Sequence, residues 1–102
     1  MSFARRVDAN HAEIAKALRS AGAIVVDTSH IGGGIPDLWV SSNSFTGWLE
    51  IKDGAKSPSA RKLTLAEEKF FALVNRSRNT HAHIVLSAEQ ALNLVFGSKE
   101  AA

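Results

Sequence analysis

Residues 37–52 have the sequence DLWVSSNSFTGWLEIK, and their pattern predicts the centre of the fold. Each half is a short run rich in apolar residues, and the turn-forming residues Ser42, Asn43 and Ser44 lie between the halves. Two such runs joined by so short a connection predict an antiparallel hairpin, with strands over residues 37–41 and 45–52. The start of the first strand and the end of the second are then expected at the same edge of the sheet.

Charged residues occupy that edge. Asp37 begins the first strand, and Glu50 and Lys52 end the second. Because side chains alternate between the faces of a strand, Glu50 and Lys52 should point to one face and Ile51 to the other. We therefore expect two carboxylates and one ammonium group to converge. A Glu-x-Lys triplet alone would fit a surface ion pair equally well.

The two acids suggest a magnesium site. Mg²⁺ takes one or two carboxylates and fills its remaining positions with water and phosphate oxygens, and the backbone carbonyl of Ile51 is a candidate third protein ligand. A cation held there by Asp37 and Glu50 would polarise a phosphodiester. Lys52 would position the attacking water or stabilise charge, and the second role is favoured because neighbouring carboxylates keep a lysine protonated.

Outward from the hairpin, apolar spacing predicts three helices and two further strands. The first helix spans about residues 8–21, with Asp8 or Asn10 as N-cap and Gly22 ending it. A buried strand over 23–27 and a glycine-rich loop over 30–36 follow. A capping box, Thr64 to Glu67, opens the second helix. Its predicted apolar face consists of Ala66, Phe70, Leu73 and Val74.

The remaining segments complete an α-β-β-β-α-β-α order. Residues 80–86 predict a fourth strand, and a second capping box over 87–90 begins the last helix. That helix is expected to bury Ala91, Leu92, Val95 and Phe96. A hairpin followed by a helical crossover predicts an α/β fold, with a mixed four-stranded sheet, flanking helices and a fourth strand parallel to one neighbour.

Composition limits the class of protein. The chain has 102 residues, enough for one domain over 1–102. It has no cysteine, no signal peptide is recognisable, and no run reaches the roughly 20 apolar residues of a membrane span. These features favour a soluble, cytoplasmic protein without membrane partners. The triple glycine lacks the spacing of a nucleotide-binding loop, so no nucleotide cofactor is implied.

Positive charge is concentrated in one loop. Net charge is only +2, but residues 52–62 contain four cations against the single acid Asp53. Lys56, Arg61 and Lys62 are candidates for contacts with DNA phosphates, although a charged surface loop is an equal interpretation. The glycine loop supplies further candidates for phosphate contact, namely His30, Gly33 and Gly34.

A pair of histidines and a pair of tryptophans lie on the predicted strands. His81 and His83 share a face of the fourth strand, but without a third ligand nearby a solvated or partner-facing surface is the better interpretation. Trp39 and Trp48 lie on paired strands and are interpreted as core or interface residues rather than platforms for stacking bases.

The runs GGGIPDL (32–38) and WLEIKDG (48–54) resemble the VRR-Nuc branch of the PD-(D/E)XK nuclease superfamily, especially its short standalone phage-type members. The likeness extends from residue 10 to about residue 96. It implies a restriction-endonuclease-like core and an endonuclease that depends on Mg²⁺ or Mn²⁺, in which Asp37 and Glu50 hold the metal and Lys52 serves hydrolysis. It also implies an acid from the first helix, matched by Glu13, and a polar residue from the second, matched by Glu67 or Glu68.

The resemblance further implies a homodimer that cuts branched DNA such as Holliday junctions, in a bacterial or phage-infected cell. Two alternatives stay open. One is a non-catalytic DNA-binding or assembly module that retains the nuclease fold. The other is a restriction-type nuclease, for which so short a chain leaves no obvious base-reading insertion.

Overall fold

A computed structural model describes residues 9–97. Its elements are α1 (His11–Ser20), β1 (Ile24–Asp27), β2 (Leu38–Ser41), β3 (Thr46–Ile51), a 3₁₀ turn (Pro58–Arg61), α2 (Leu65–Val74), β4 (His81–Val85) and α3 (Ala88–Phe96). The predicted order of helices and strands is confirmed.

The four strands form one mixed sheet in the order β1-β2-β3-β4. β2 is antiparallel to both β1 and β3, whereas β4 is parallel to β3, as the helical crossover predicted. In this register Leu38 lies opposite Leu49, and Ile51 lies beside Val85. The start of β2 and the ends of β1, β3 and β4 therefore share one edge, which we call the site edge.

The core lies on one face of the sheet, where α1 and α3 pack. Its side chains include Ile14, Leu18, Leu38, Val40, Leu49, Ile51, Val85, Ala91 and Val95. By strand alternation the opposite face carries Trp39, Trp48 and Glu50. α2 packs on that second face, because the Phe70 ring meets the Trp48 ring edge-on at 5.3 Å. The two tryptophans lie opposite each other in the β2–β3 register.

The ends of α1 differ in how well they were predicted. At the C-terminus Gly22 has a φ of +106°, and the amides of Gly22 and Ala23 donate to the carbonyls of Arg19 and Leu18, as in a Schellman motif. At the N-terminus Asn10 occupies the N-cap position, but its side chain makes no capping bond there. Of the two predicted candidates, Asn10 is therefore the N-cap residue, but without a side-chain capping bond, while Asp8 lies outside the described residues.

Two predictions of burial are wrong, and the apolar face predicted for α2 is only partly covered. β1 was expected to be buried, but it is an edge strand in which Ile24 is 62% and Val26 47% exposed. Leu73 of α2 is 64% exposed, since only part of this helix's apolar surface meets the sheet. Phe96, at the last residue of α3, is also partly exposed, whereas Ala91 and Val95 are buried as predicted.

The two capping boxes also differ. Thr64 and Glu67 form both reciprocal bonds at the start of α2. At α3 the hydroxyl of Ser87 accepts from the amide of Gln90, but the Gln90 side chain accepts from the amide of Leu86 instead of Ser87. Only half of the second box is therefore present. Over residues 9–97 no helix has the length and apolar character needed to cross a bilayer.

Candidate active site

Asp37 is fixed at the start of β2 by backbone and side-chain bonds. Thr28 donates its amide to the Asp37 carbonyl at 2.8 Å and its hydroxyl to the Pro36 carbonyl at 2.7 Å. The buried Asp37 carboxylate accepts from the amide of Ile51 at 2.8 Å, through Oδ2. This bond joins the start of β2 to the end of β3 and brings Asp37 beside Glu50, as the hairpin predicted.

Glu50 is the most buried acid of the described chain, with 2% of its surface exposed. Its Oε2 lies 3.4 Å from the ammonium of Lys52, while its Oε1 is buried and has no hydrogen-bond partner among residues 9–97. Burial, followed by the negative charges of Asp37 and Glu67, raises the pKa of Glu50 to about 8. The site therefore holds more negative charge than Lys52 neutralises.

Lys52 bridges β3 and α2. Its Nζ lies 3.4 Å from Glu50 Oε2 and 3.3 Å from Glu67 Oε1, and its side chain is 14% exposed. Burial opposes the charged form of Lys52, but the two carboxylates outweigh burial and raise the pKa of the lysine. Lys52 is therefore a fixed cation at neutral pH.

Glu67 is the acid of α2 that enters the site. Its Oε1 accepts both the Thr64 amide, at 2.9 Å, and the Lys52 ammonium. Burial opposes its ionisation, but the bond from Thr64 and the charge of Lys52 hold the pKa of Glu67 below its usual value. Of the two glutamates left open by the sequence, the structure brings Glu67 to Lys52, whereas Glu68 is exposed.

A close contact between the glycine loop and α2 sets where Glu67 lies. Gly34 has a φ of +90°, and a Cβ atom there would come within 2.4 Å of the Ala66 carbonyl oxygen. Ala66 precedes Glu67 in the first turn of α2, so only glycine allows this approach. Gly34 therefore allows the glycine loop to pack closely against the first turn of α2. Gly32 and Gly33 also have positive φ values, with open space around them.

The residues at this edge fit a divalent cation. Glu50 Oε1 is a buried, unsatisfied acceptor next to a second buried carboxylate, that of Asp37, and a cation would neutralise the charge that raises the Glu50 pKa. Within residues 9–97 no group of three or more His, Asp or Glu side chains is arranged to hold a metal by itself. Two carboxylates suit an ion such as Mg²⁺, which takes few protein ligands and completes its shell with water and phosphate oxygens.

The other predicted residues lie outside this cluster of contacts. Glu13 is on the exposed surface of α1, and its side chain forms no hydrogen bond or ion pair with any described residue. His30 and Gly33 are exposed in the glycine loop. Lys56 and Lys62 are exposed in the loop after β3, whereas Arg61 is partly buried and donates through Nε to the Ser57 carbonyl of the same loop at 3.4 Å.

Sequence reasoning missed a second polar group at the site edge. His11, buried in the first turn of α1, pairs through Nε2 with Asp27 Oδ2 at 3.2 Å, and its Nδ1 has no hydrogen-bond partner in the described part of the chain. Ser29 donates its amide and hydroxyl to Asp27 Oδ1. Partial burial opposes ionisation of Asp27, but the Ser29 bonds and then His11 lower its pKa. A histidine followed sixteen residues later by an aspartate gave no sequence signal for this pair.

The histidines of β4 lie away from these acids. His81 and His83 are both partly buried, with ring centroids 6.3 Å apart, and the His83 ring lies 5.8 Å from that of Phe45. Burial, and then the charge of His81, lower the pKa of His83.

Comparison with known proteins supports the fold. A solved structure described as a VRR_NUC domain aligns with 87% of this chain and 97% of its own length, at 24% sequence identity and a TM-score of 0.53. The chain has the VRR_NUC fold. The mixed four-stranded sheet and the α-β-β-β-α-β-α order match that fold. No protein-family model and no curated protein matches the chain.

Proposed function

We propose that this protein is a metal-dependent endodeoxyribonuclease that hydrolyses phosphodiester bonds with Mg²⁺ or Mn²⁺. The observation that carries the proposal is the convergence of Asp37, Glu50 and Lys52 at one sheet edge, with Glu50 Oε1 buried and unsatisfied. The VRR_NUC fold of the chain supports the proposal at the level of architecture.

Each residue has a distinct duty in this proposal. Asp37 and Glu50, with the Ile51 carbonyl, would hold the cation. When bound, the cation supplies Lewis-acid polarisation of the phosphate and charge neutralisation. Lys52, held in its charged form by Glu50 and Glu67, would offset the negative charge that develops on phosphate oxygens as the bond to the leaving group breaks. Glu13 stays a candidate fourth member from α1.

DNA contacts are proposed for the neighbouring loops. Lys56 and Lys62 are exposed in the loop that leaves the site edge directly after Lys52. Their charges would meet phosphates that flank the cleaved bond. Arg61, His30 and the exposed residue Gly33 are proposed to contribute further phosphate contacts. Gly34 was also a candidate, and its close packing on Ala66 gives it a separate structural duty.

We further propose that the whole chain, residues 1–102, forms a single domain and works in the cytoplasm of a bacterial or phage-infected cell.

The active form is proposed to be a homodimer that cuts branched DNA. The dimer is supported by β1, an edge strand that no described strand covers on its outer side. Its exposed Ile24 and Val26 are apolar surface that a second copy can bury. Sedimentation of the wild type and of an Ile24→Lys, Val26→Lys variant tests this, with a dimer expected only for the wild type.

The test of the proposed activity is a cleavage panel. Linear duplex, flap, splayed-arm and four-way DNA are incubated with the protein and varied Mg²⁺ or Mn²⁺. Metal-dependent cutting is expected, with a preference for branched substrates. DNA binding without cutting of any substrate, together with no metal binding in calorimetry, would instead support a non-catalytic DNA-binding or assembly module. Cutting confined to one duplex sequence would support a restriction-type nuclease.

A further inference from the structure

The side-chain amide of Asn10 closes the end of the β3–β4 ladder. The last backbone bond between these strands is donated by the backbone amide of Lys52 to the Val85 carbonyl at 3.1 Å, one step beyond the last paired residues. Past that bond the strand ends are joined by Asn10, whose Nδ2 donates to the Leu86 carbonyl at 2.9 Å and to the Lys52 carbonyl at 3.3 Å. A single nitrogen therefore holds both strands at the site edge.

The start of α1 is placed to do this. The Asn10 carbonyl accepts from the amide of Ile14, so Asn10 begins the helix through its backbone, which leaves its side chain available for the sheet. The next residue, His11, pairs with Asp27 at the end of β1. Asn10 and His11 thus attach the N-terminus of α1 to the ends of β3 and β4 and to the end of β1, respectively. An uncharged amide is suited to the task, because its nitrogen carries two protons and can serve two carbonyls.

The backbone held in this way is that of the site lysine. The Lys52 ammonium must reach Glu50 and Glu67, and both distances are already 3.3–3.4 Å. Loss of the Asn10 amide would leave two strand-end carbonyls without this donor and let the Lys52 backbone move. A displacement of about 1 Å at a catalytic group can lower a rate about 100-fold.

We infer that Asn10 is a positioning residue, which holds the backbone of Lys52 so that its ammonium stays between Glu50 and Glu67. The inference rests on the proposed function for its effect on cleavage, but its structural part can be measured without cleavage.

The test compares Asn10→Ala with Asn75→Ala. Asn75 is a matched control, because its side chain also forms two bonds with the backbone of β4, donating to the Ala82 carbonyl and accepting from the Ala82 amide. Asn10→Ala is expected to lower kcat about 100-fold with KM changed less than about threefold, since ground-state DNA binding is retained. Asn75→Ala is expected to lower the melting temperature while kcat stays at the wild-type value.

A second measurement separates this inference from the proposed function. Amide hydrogen exchange at Lys52 should accelerate at least about tenfold in Asn10→Ala and stay unchanged in Asn75→Ala, because only the first variant loosens the strand end. An unchanged Lys52 exchange rate, or an equal loss of kcat in both variants, would overturn the inference. If the wild type cuts no DNA, the proposed function fails, and the exchange rate alone decides the role of Asn10. Asn10→Ser, whose shorter side chain cannot serve both carbonyls, replaces Asn10→Ala if that variant does not fold.

Discussion

Lys52 and Glu67 are joined by an ion pair in which Nζ lies 3.3 Å from Oε1, and the same oxygen accepts the Thr64 amide at 2.9 Å. The glutamate that caps α2 is therefore also the glutamate that holds the lysine of β3. A local helix-start motif and a contact fifteen residues away in sequence depend on one side chain.

These two roles of Glu67 can be separated by substitution. Glu67→Gln keeps an acceptor for Thr64 but loses the charge beside Lys52, whereas Glu67→Ala loses both. We expect both variants to lower kcat, while only Glu67→Ala loses about 1 kcal/mol of unfolding free energy through the cap. Urea denaturation and cleavage rates measure the two effects. Glu68→Ala, at the exposed neighbour, is the control, and a kcat for Glu67→Gln equal to that of this control would contradict the role of the charge.

Stability of the metal-free protein should depend on pH through Glu50. Its pKa in the folded protein is raised to about 8 from an ordinary value of 4.5, so between these values the folded state holds a proton that the unfolded state has lost. The unfolding free energy contributed by Glu50 is therefore fully present below about pH 4.5 and decreases as pH rises towards 8. Denaturation in EDTA at several pH values should show this decrease in the wild type, after subtraction of the Glu50→Gln profile. Parallel profiles for the two proteins would contradict it.

The same proton predicts how metal binding responds to pH. A cation bound at Glu50 must displace the proton, so Mg²⁺ affinity should increase with pH up to about 8. Calorimetry in buffers of different ionisation enthalpy should detect close to one proton released per bound ion at pH 6.5 and little release above pH 9. Binding without proton release at pH 6.5 would place the ion elsewhere.

Gly34 and Gly33 form a matched pair for testing the contact between the glycine loop and α2. Both have positive φ, but only at Gly34 would a Cβ meet the Ala66 backbone. Gly33→Ala should cost about 1 kcal/mol of unfolding free energy from backbone strain. Gly34→Ala adds the clash and should cost about 2–4 kcal/mol, and it should also lower kcat by moving Glu67. Equal costs in chemical denaturation would show that the close approach is unimportant.

The loop after β3 can be tested through the salt dependence of DNA binding. Replacing Lys56, Arg61 and Lys62 by serine should reduce the slope of log affinity against log salt by about two, if most of them contact phosphates. Serine at Lys69, Arg76 and Arg78 removes the same charge elsewhere and serves as control. Equal slopes for the two triple variants would mean that the loop has no specific contact with DNA.

The sequence predicted the site through rules that act over short distances. Strand alternation placed Glu50 and Lys52 on one face, and the short Ser42–Ser44 turn brought Asp37 back to them. The role of Asn10 could not be predicted in this way, because its partners lie 42 and 76 residues away and its local pattern is that of an ordinary N-cap. The exposure of Ile24 was missed for a related reason. A short β-branched run has the same pattern at a sheet edge as in its centre.

Asp37, Glu50 and Lys52 are proposed to form a metal-dependent cleavage site. The most direct measurement compares wild type with Asp37→Asn, which keeps an oxygen to accept the Ile51 amide and so preserves the fold. Both proteins are assayed for cleavage of four-way, flap and duplex DNA with Mg²⁺, and for binding to the same DNA. We predict metal-dependent cutting by the wild type, and a loss of at least about 1,000-fold in Asp37→Asn with binding retained, as expected when an essential catalytic group is removed. Undiminished cutting by Asp37→Asn, or no Mg²⁺-dependent cutting by the wild type, would contradict the claim.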